Sequence, residues 1–155
     1  MIDQLDISVD GACRGNPGPA AIGIVIRDKK EIIREIAKPI GDATNNIAEY
    51  SALVYALQYA LFLKAQKVRI TTDSELVFKQ VSGSYKVKDE TIRFLFEQVQ
   101  LLASLFKKFE IKHVMREYNK EADRLASSIL DKRDKLSMVA SLFDNDGEES
   151  PSSKG

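Results

Sequence analysis

The 155-residue sequence predicts an α/β domain built on a mixed five-stranded sheet, and three observations predict it. Residues 2–9 alternate, with Leu5, Ile7 and Val9 on one side and Asp6 and Ser8 on the other, as a half-buried strand requires. From Thr44 the period changes to three and four, placing Ile47, Tyr50, Leu53, Val54, Leu57 and Leu61 along one helical stripe. A short apolar run then returns at Val68 to Thr72. A strand that follows such a helix is expected to pair parallel to the first strand by a right-handed crossover.

The elements follow in order. Gly11 to Pro19 breaks the chain after the first strand. Residues 21–26 and 31–37 read as strands two and three, joined across Asp28-Lys29-Lys30, so strands one to three form an antiparallel meander. Thr44 or Asn45 caps the first helix, which runs to about Lys64. Ser74 to Ser82 is a short helix stopped by Gly83, and Asp89 opens another with Ile92, Leu95, Phe96, Val99, Leu102 and Phe106 on one face. Phe109 to Met115 is the fifth strand, and a last helix after Asn119 carries Ala122, Leu125, Ala126 and Ile129. The order is βββαβααβα. Residues 1–131 read as one domain and 132–155 as a C-terminal extension, disordered at its end because 144–155 is acidic, Ser-rich and Pro-containing.

Composition narrows the function classes. Apolar residues make up 44%, enough for a core, and Lys+Arg 23 balance Asp+Glu 23, so no global basic field advertises a nucleic-acid partner. The acidic tail conceals a mildly basic body, which points to local contacts instead. The single cysteine, Cys13, has no disulfide partner within the chain. The opening residues lack a signal-peptide pattern, and the longest apolar stretch, Ala52 to Leu63, is too short to span a bilayer. The expectation is a soluble, cytoplasmic, monomeric protein without membrane contact.

Four acids carry the chemistry. Asp10 ends strand one and Asp73 ends strand four, so parallel pairing of those strands brings both carboxylates to one carboxyl-end rim. Glu49 and Asp123 each lie four residues after an asparagine, Asn45 and Asn119, that could cap its helix, and belong to first turns that can reach that rim. Taken singly, an Asp after a strand reads as a turn former and a Glu in an early helical turn as a response to the helix dipole. Neither reading explains Glu49, set between Ala48 and Tyr50 in an apolar helix. Four clustered carboxylates repel one another, and an all-oxygen site of this kind suits Mg²⁺ or Mn²⁺, two of which can promote phosphodiester hydrolysis.

These residues resemble the type 1 ribonucleases H. The resemblance lies in Val9-Asp10-Gly11-Ala12-Cys13-Arg14-Gly15-Asn16-Pro17-Gly18-Pro19-Ala20, in Thr44-Asn45-Asn46-Ile47-Ala48-Glu49, in Thr72-Asp73-Ser74 and in Asn119-Lys120-Glu121-Ala122-Asp123-Arg124-Leu125-Ala126. It implies a ribonuclease H-like fold with strands one to three antiparallel and strands four and five parallel. It further implies endonucleolytic cleavage of the RNA strand of RNA/DNA hybrids with two Mg²⁺ ions, Mn²⁺ being a substitute, to leave 5′-phosphate and 3′-hydroxyl ends. Asp10, Glu49, Asp73 and Asp123 are then the metal-binding and catalytic carboxylates. Cys13, Asn16, Asn45 and Asn46 match positions that contact the minor groove of the hybrid, and Thr44 a position that helps hold a DNA phosphate.

The sequence also departs from the family. Many members carry a histidine in the loop before the last helix, whereas His113, the only histidine here, falls in the predicted fifth strand. No basic protrusion or hybrid-binding domain is present, and Tyr85, Lys86 and Lys88 are what remains for tracking a backbone. Asp89 stands where related sequences tend to have an asparagine that holds DNA phosphate. Weak, salt-sensitive hybrid binding is expected. Ser141-Leu142-Phe143 resembles the end of a sliding-clamp motif without its glutamine, and Asp144-Asn145-Asp146-Gly147 the start of a calcium loop without its remaining ligands. Two other readings stay open: a non-catalytic nucleic-acid-binding module on the same fold, and a related nuclease with another substrate.

Overall fold

The computed structural model describes residues 2–152, with side chains described through Asp144. Its elements are β1 (Ile2–Cys13), β2 (Gly18–Asp28), β3 (Glu31–Ala43), α1 (Asn45–Phe62), β4 (Ala65–Thr72), α2 (Glu75–Val81), α3 (Glu90–Ala103), β5 (Lys108–His113) and α4 (Lys120–Ser152). A 3₁₀ turn, Arg116–Tyr118, precedes α4. The sheet order is β3-β2-β1-β4-β5. β1, β2 and β3 are antiparallel, while β4 pairs parallel to β1 and β5 parallel to β4.

β2 shows why both faces of the sheet are covered. Ala20 to Ile26 is buried without interruption, as expected of a strand with packing on each side. Ile22, Ile24 and Ile26 join Leu5, Ile7, Val9, Tyr50, Leu53 and Leu57 in the main core under α1, with Ile92, Val99 and Phe106 of the α3 region. The intervening Gly23 faces α4, so close that a Cβ there would lie 2.0 Å from the Ala122 carbonyl oxygen. Ala122, Ala126 and Leu130 bury the inner stripe of that helix.

Several elements run further than the sequence predicts. β1 and β2 pair through the expected loop as far as Cys13 and Ala20, confining the turn to Arg14–Pro17. β3 extends past Ala37 to Ala43, and β5 stops at His113 instead of Met115. Thr44, not Asn45, caps α1: its hydroxyl oxygen accepts from the Ile47 N–H at 3.2 Å. Asp89 caps α3 in the same way, through the Ile92 N–H at 2.9 Å. α4 runs past Asp131, the expected domain boundary, to Ser152, and neither Gly nor Pro interrupts 120–146. From Asp131 to Asp144 every residue of that helix is exposed. The disorder expected at the end of the chain, so far as it concerns residues 153–155, lies outside the described residues, as do the side chains of Asn145, Asp146 and Gly147.

Candidate active site

Three different contacts bring acids to Asp10. First, Val9 pairs with Thr72 across β1 and β4, which sets Asp10 beside Asp73 at the carboxyl rim. Second, Gly11 faces α1, where a Cβ would meet the Ala48 carbonyl carbon at 2.2 Å and the Glu49 nitrogen at 2.5 Å. The missing side chain lets the first turns of α1 lie on the strand, and the Gly11 N–H donates to Glu49 Oε1 at 2.9 Å. Third, Asp10 pairs with Gly23, the residue on which α4 rests at Ala122, so Asp123 arrives from the other face.

The result is a cleft of about 260 Å³ lined by Asp10, Gly11, Ala12, Asn45, Glu49, Asp73, Ser74, Arg116 and Asp123. Asp10, Glu49 and Asp73 each offer a carboxylate oxygen within 4.8 Å of the others. Asp123 stands at the mouth, its Oδ1 3.5 Å from the Arg116 guanidinium. Arg116, which the sequence offers with Glu117 as a stand-in for the family's loop histidine, is instead the cation that lines the cleft.

Electrostatics set the chemistry of this cluster. Burial, and then the neighbouring Glu49 and Asp73 charges, hold the Asp10 carboxyl well above the ordinary carboxylate range. Burial also raises Glu49, opposed by hydrogen bonds from Asp10 and the Gly11 N–H. Asp73 is raised by burial and pulled back by its Asn119 hydrogen bond and by Arg116. Glu49 Oε2 is buried with no hydrogen-bond partner. An orphaned, buried acceptor among like charges, in an all-oxygen donor set, fits a divalent cation and leaves no role for a soft metal.

Asn119 holds the cluster from behind. The sequence reads it as a helix cap, yet its Nδ2 donates to the Val9 carbonyl at 2.9 Å and to Asp73 Oδ2 at 3.4 Å. It thereby ties the ends of β1 and β4 to the start of α4. Asn119→Ala strands a buried carbonyl and frees Asp73, and thermal denaturation should register a loss of about 1–3 kcal/mol. A melting temperature equal to the parent's would remove this role.

The residues expected at the minor groove lie along one rim. Cys13 is half-buried at the end of β1, while Asn16, Asn45 and Asn46 are exposed. Asn16 Oδ1 accepts from the Asn45 N–H at 2.9 Å, joining the β1–β2 turn to the start of α1. Arg14 anchors the same turn on its far side, at 2.5 Å from Asp131 and 3.1 Å from Asp134. Thr44 keeps its hydroxyl hydrogen available while its oxygen caps α1. Lys79, on the last turn of α2 and paired with Glu75 at 2.7 Å, adds to the expected trio, its ammonium 4.9 Å from the Tyr85 ring centre.

His113 closes β5, pairs with Thr72 and packs its ring 5.9 Å from that of Phe78. This placement gives it a packing role, so His113→Ala should keep most of the turnover in a steady-state assay. Loss of most turnover with hybrid binding intact would instead make it a proton carrier.

Comparison with known proteins follows the same geometry. A family model described as reverse transcriptase-like matches residues 8–129. A bifunctional protein of Mycobacterium tuberculosis is 42% identical over 127 residues, which are 81% of this chain and 35% of that protein. The chain thus spans about a third of the length of the first curated relatives it matches. The crystal structure of RNase H1 from Halobacterium salinarum superposes with a TM-score of 0.81 at 39% identity, covering 83% of this chain and 98% of that one. LC11-RNase H1 in complex with an RNA/DNA hybrid gives a TM-score of 0.79 at 36% identity, with the same coverage of 83% and 98%.

Proposed function

The chain belongs to the type 1 ribonuclease H family, and from that premise we propose that it is a metal-dependent endonuclease that hydrolyses the RNA strand of RNA/DNA hybrids, leaving 5′-phosphate and 3′-hydroxyl ends. The single observation that carries this reading is the convergence of buried Asp10 and Glu49 with half-buried Asp73 at the cleft. A similar structure holds such a hybrid. Residues 2–131 form the catalytic unit, and the rest of α4 is an extension of it.

Asp10, Glu49, Asp73 and Asp123 are the residues that would hold two Mg²⁺ ions, or Mn²⁺ in their place. When bound, these supply the positive charge that activates water and stabilises the leaving oxygen in an in-line displacement. The chain's own residues do the rest. The Gly11 N–H and Asn119 fix the orientations of Glu49 and Asp73, so the acids are arranged before substrate arrives. Asn16, Asn45, Asn46 and Cys13 line the rim that meets the minor groove, where reading 2′-hydroxyls tells RNA from DNA. Thr44 offers a hydroxyl to the DNA phosphate. Arg116, exposed at the mouth of an acidic cleft, is placed to meet a phosphate of the RNA strand.

Among the described residues no helix is long and apolar enough to cross a membrane. The protein acts in the cytoplasm on hybrids, and one chain supplies all four carboxylates, so a monomer is sufficient. Sliding-clamp docking through Ser141-Leu142-Phe143 finds its support only in the exposure of Leu142 and Phe143.

The test is a panel of end-labelled RNA/DNA hybrid, single-stranded RNA, duplex RNA and duplex DNA, each in Mg²⁺ and in Mn²⁺. Cleavage confined to the RNA of the hybrid is expected. Equal cleavage of structured DNA would transfer the site to another nuclease class, and hybrid binding without cleavage would make the chain a binding module.

A further inference from the structure

We infer that the outer face of α1 together with β3 is a second nucleic-acid site, one that takes single-stranded nucleic acid continuing from the hybrid. The β2–β3 register sets Arg34, Ile36 and Lys38 opposite Ile26, Ile24 and Ile22, so these three share the face covered by α1. Glu35, opposite Val25, turns to the other face. Arg34 sits 6.0 Å from the ring centre of Tyr59, and the Lys38 ammonium 4.7 Å from that of Tyr55. Among the described residues neither cation has a carboxylate partner.

The helix side of this face is unusual for a chain that is 30% charged: Glu49 is the only charged residue of α1, and no acid occurs from Tyr50 to Thr72. The solvent-facing positions of α1 itself carry no charge. Instead Arg34, Tyr55, Gln58, Tyr59 and Phe62 line a shallow cavity of about 390 Å³, and Phe62 is 74% exposed. An exposed phenylalanine beside two half-buried tyrosines and two cations without a carboxylate partner matches what a single strand requires, a ring for a base to stack on and positive charge for the phosphates.

Spacing supports the assignment. Tyr55, Tyr59 and Phe62 recur at four and three residues, a rise of about 10 Å along one side of the helix. Arg34 and Lys38 run beside them about 13 Å apart on the extended strand. The stripe begins about 9 Å along α1 from Glu49 and about a third of a turn around it, within reach of an unpaired strand that leaves the cleft across this helix. A second copy of this chain would bring the same cations against themselves, which disfavours self-association on this face.

The inference rests on the hybrid-nuclease reading only for the source of the strand. The experiment therefore has two arms, both on the full chain. The first measures fluorescence anisotropy of a labelled oligothymidylate of about 12 nucleotides. The second compares KM for a blunt RNA/DNA hybrid with KM for the same hybrid carrying a single-stranded tail. Binding to the oligonucleotide, and a tail that lowers KM by about 5-fold or more, are expected for one or more stacked bases. Both effects should vanish in Arg34→Glu/Lys38→Glu and weaken in Phe62→Ser, with kcat and blunt-hybrid KM unchanged. No tail advantage, or an advantage that survives these variants, would overturn the assignment. So would concentration-dependent dimerisation abolished by Phe62→Ser, which would give the face to a second copy. If no hybrid is cleaved, the nuclease reading fails while the anisotropy arm still decides this one.

Discussion

Asp10→Asn is expected to make the metal-free protein more stable while removing at least about 99.9% of its hybrid cleavage. Asp10 is buried against Glu49 and Asp73, and its carboxyl is held above its usual value of 3.8. A carboxyl whose folded pKa is raised leaves stability complete below the unfolded value and erodes it as pH climbs toward the folded value. The metal-free parent should therefore lose stability progressively from about pH 4 upward, by at most about 1.4 kcal/mol per pH unit for one group. The amide has no charge to bury, so the variant's melting temperature should exceed the parent's by several degrees at pH 8, with the gap closing toward pH 5. Adding Mg²⁺ should raise the parent and leave the variant little changed. Calorimetry of both proteins across that range, with and without Mg²⁺, decides the matter: a parent insensitive to pH and to Mg²⁺ would mean that the acids do not form a repelling, metal-neutralised cluster.

Gly11→Ala is the second large effect. The new Cβ would lie 2.2 Å from the Ala48 carbonyl carbon, 2.3 Å from its oxygen and 2.5 Å from the Glu49 nitrogen. All three are backbone of α1, so the helix must move off the strand. Overpacking of this kind costs about 1–3 kcal/mol, roughly 2–12 °C for a domain of this size. The same shift breaks the Gly11 N–H bond to Glu49 Oε1 and moves the carboxylate, and a displacement near 1 Å can lower kcat about 100-fold. Assayed well below its melting temperature, the variant should retain hybrid KM within a few-fold and lose kcat. An unchanged kcat would mean that the closeness of α1 to β1 is not what places Glu49.

These two residues also indicate how far the sequence could be read. Alternation in β1 and the three-and-four spacing of α1 made the topology legible, because each burial pattern has one period and one partner face. The convergence of Asp10 with Asp73 followed from parallel pairing alone. What the sequence could not express was distance. Gly11 read as the start of a chain break and Gly23 as one more strand residue, yet they are the points where α1 and α4 approach the sheet closely enough to deliver Glu49 and Asp123. Asn119 read as a cap because its position four residues before Asp123 has that meaning locally, whereas its partners, Val9 and Asp73, are remote in sequence. Arg116 drew notice only as a stand-in for a loop histidine, because its neighbour Asp123 lies across a turn whose shape the sequence does not specify. The basic-aromatic face of α1 was hidden for a similar reason, since Arg34 and Lys38 meet Tyr59 and Tyr55 only through the sheet register.

The most direct test of the central claim is cleavage of a hybrid labelled on its RNA strand, in Mg²⁺, by the parent and by Asp10→Asn side by side. The parent should yield RNA fragments with 5′-phosphate and 3′-hydroxyl ends, none when Mg²⁺ is chelated, and the variant less than about a thousandth of that rate. Cleavage by Asp10→Asn at the parent's rate, or a folded parent that binds the hybrid and leaves its RNA intact, would contradict it.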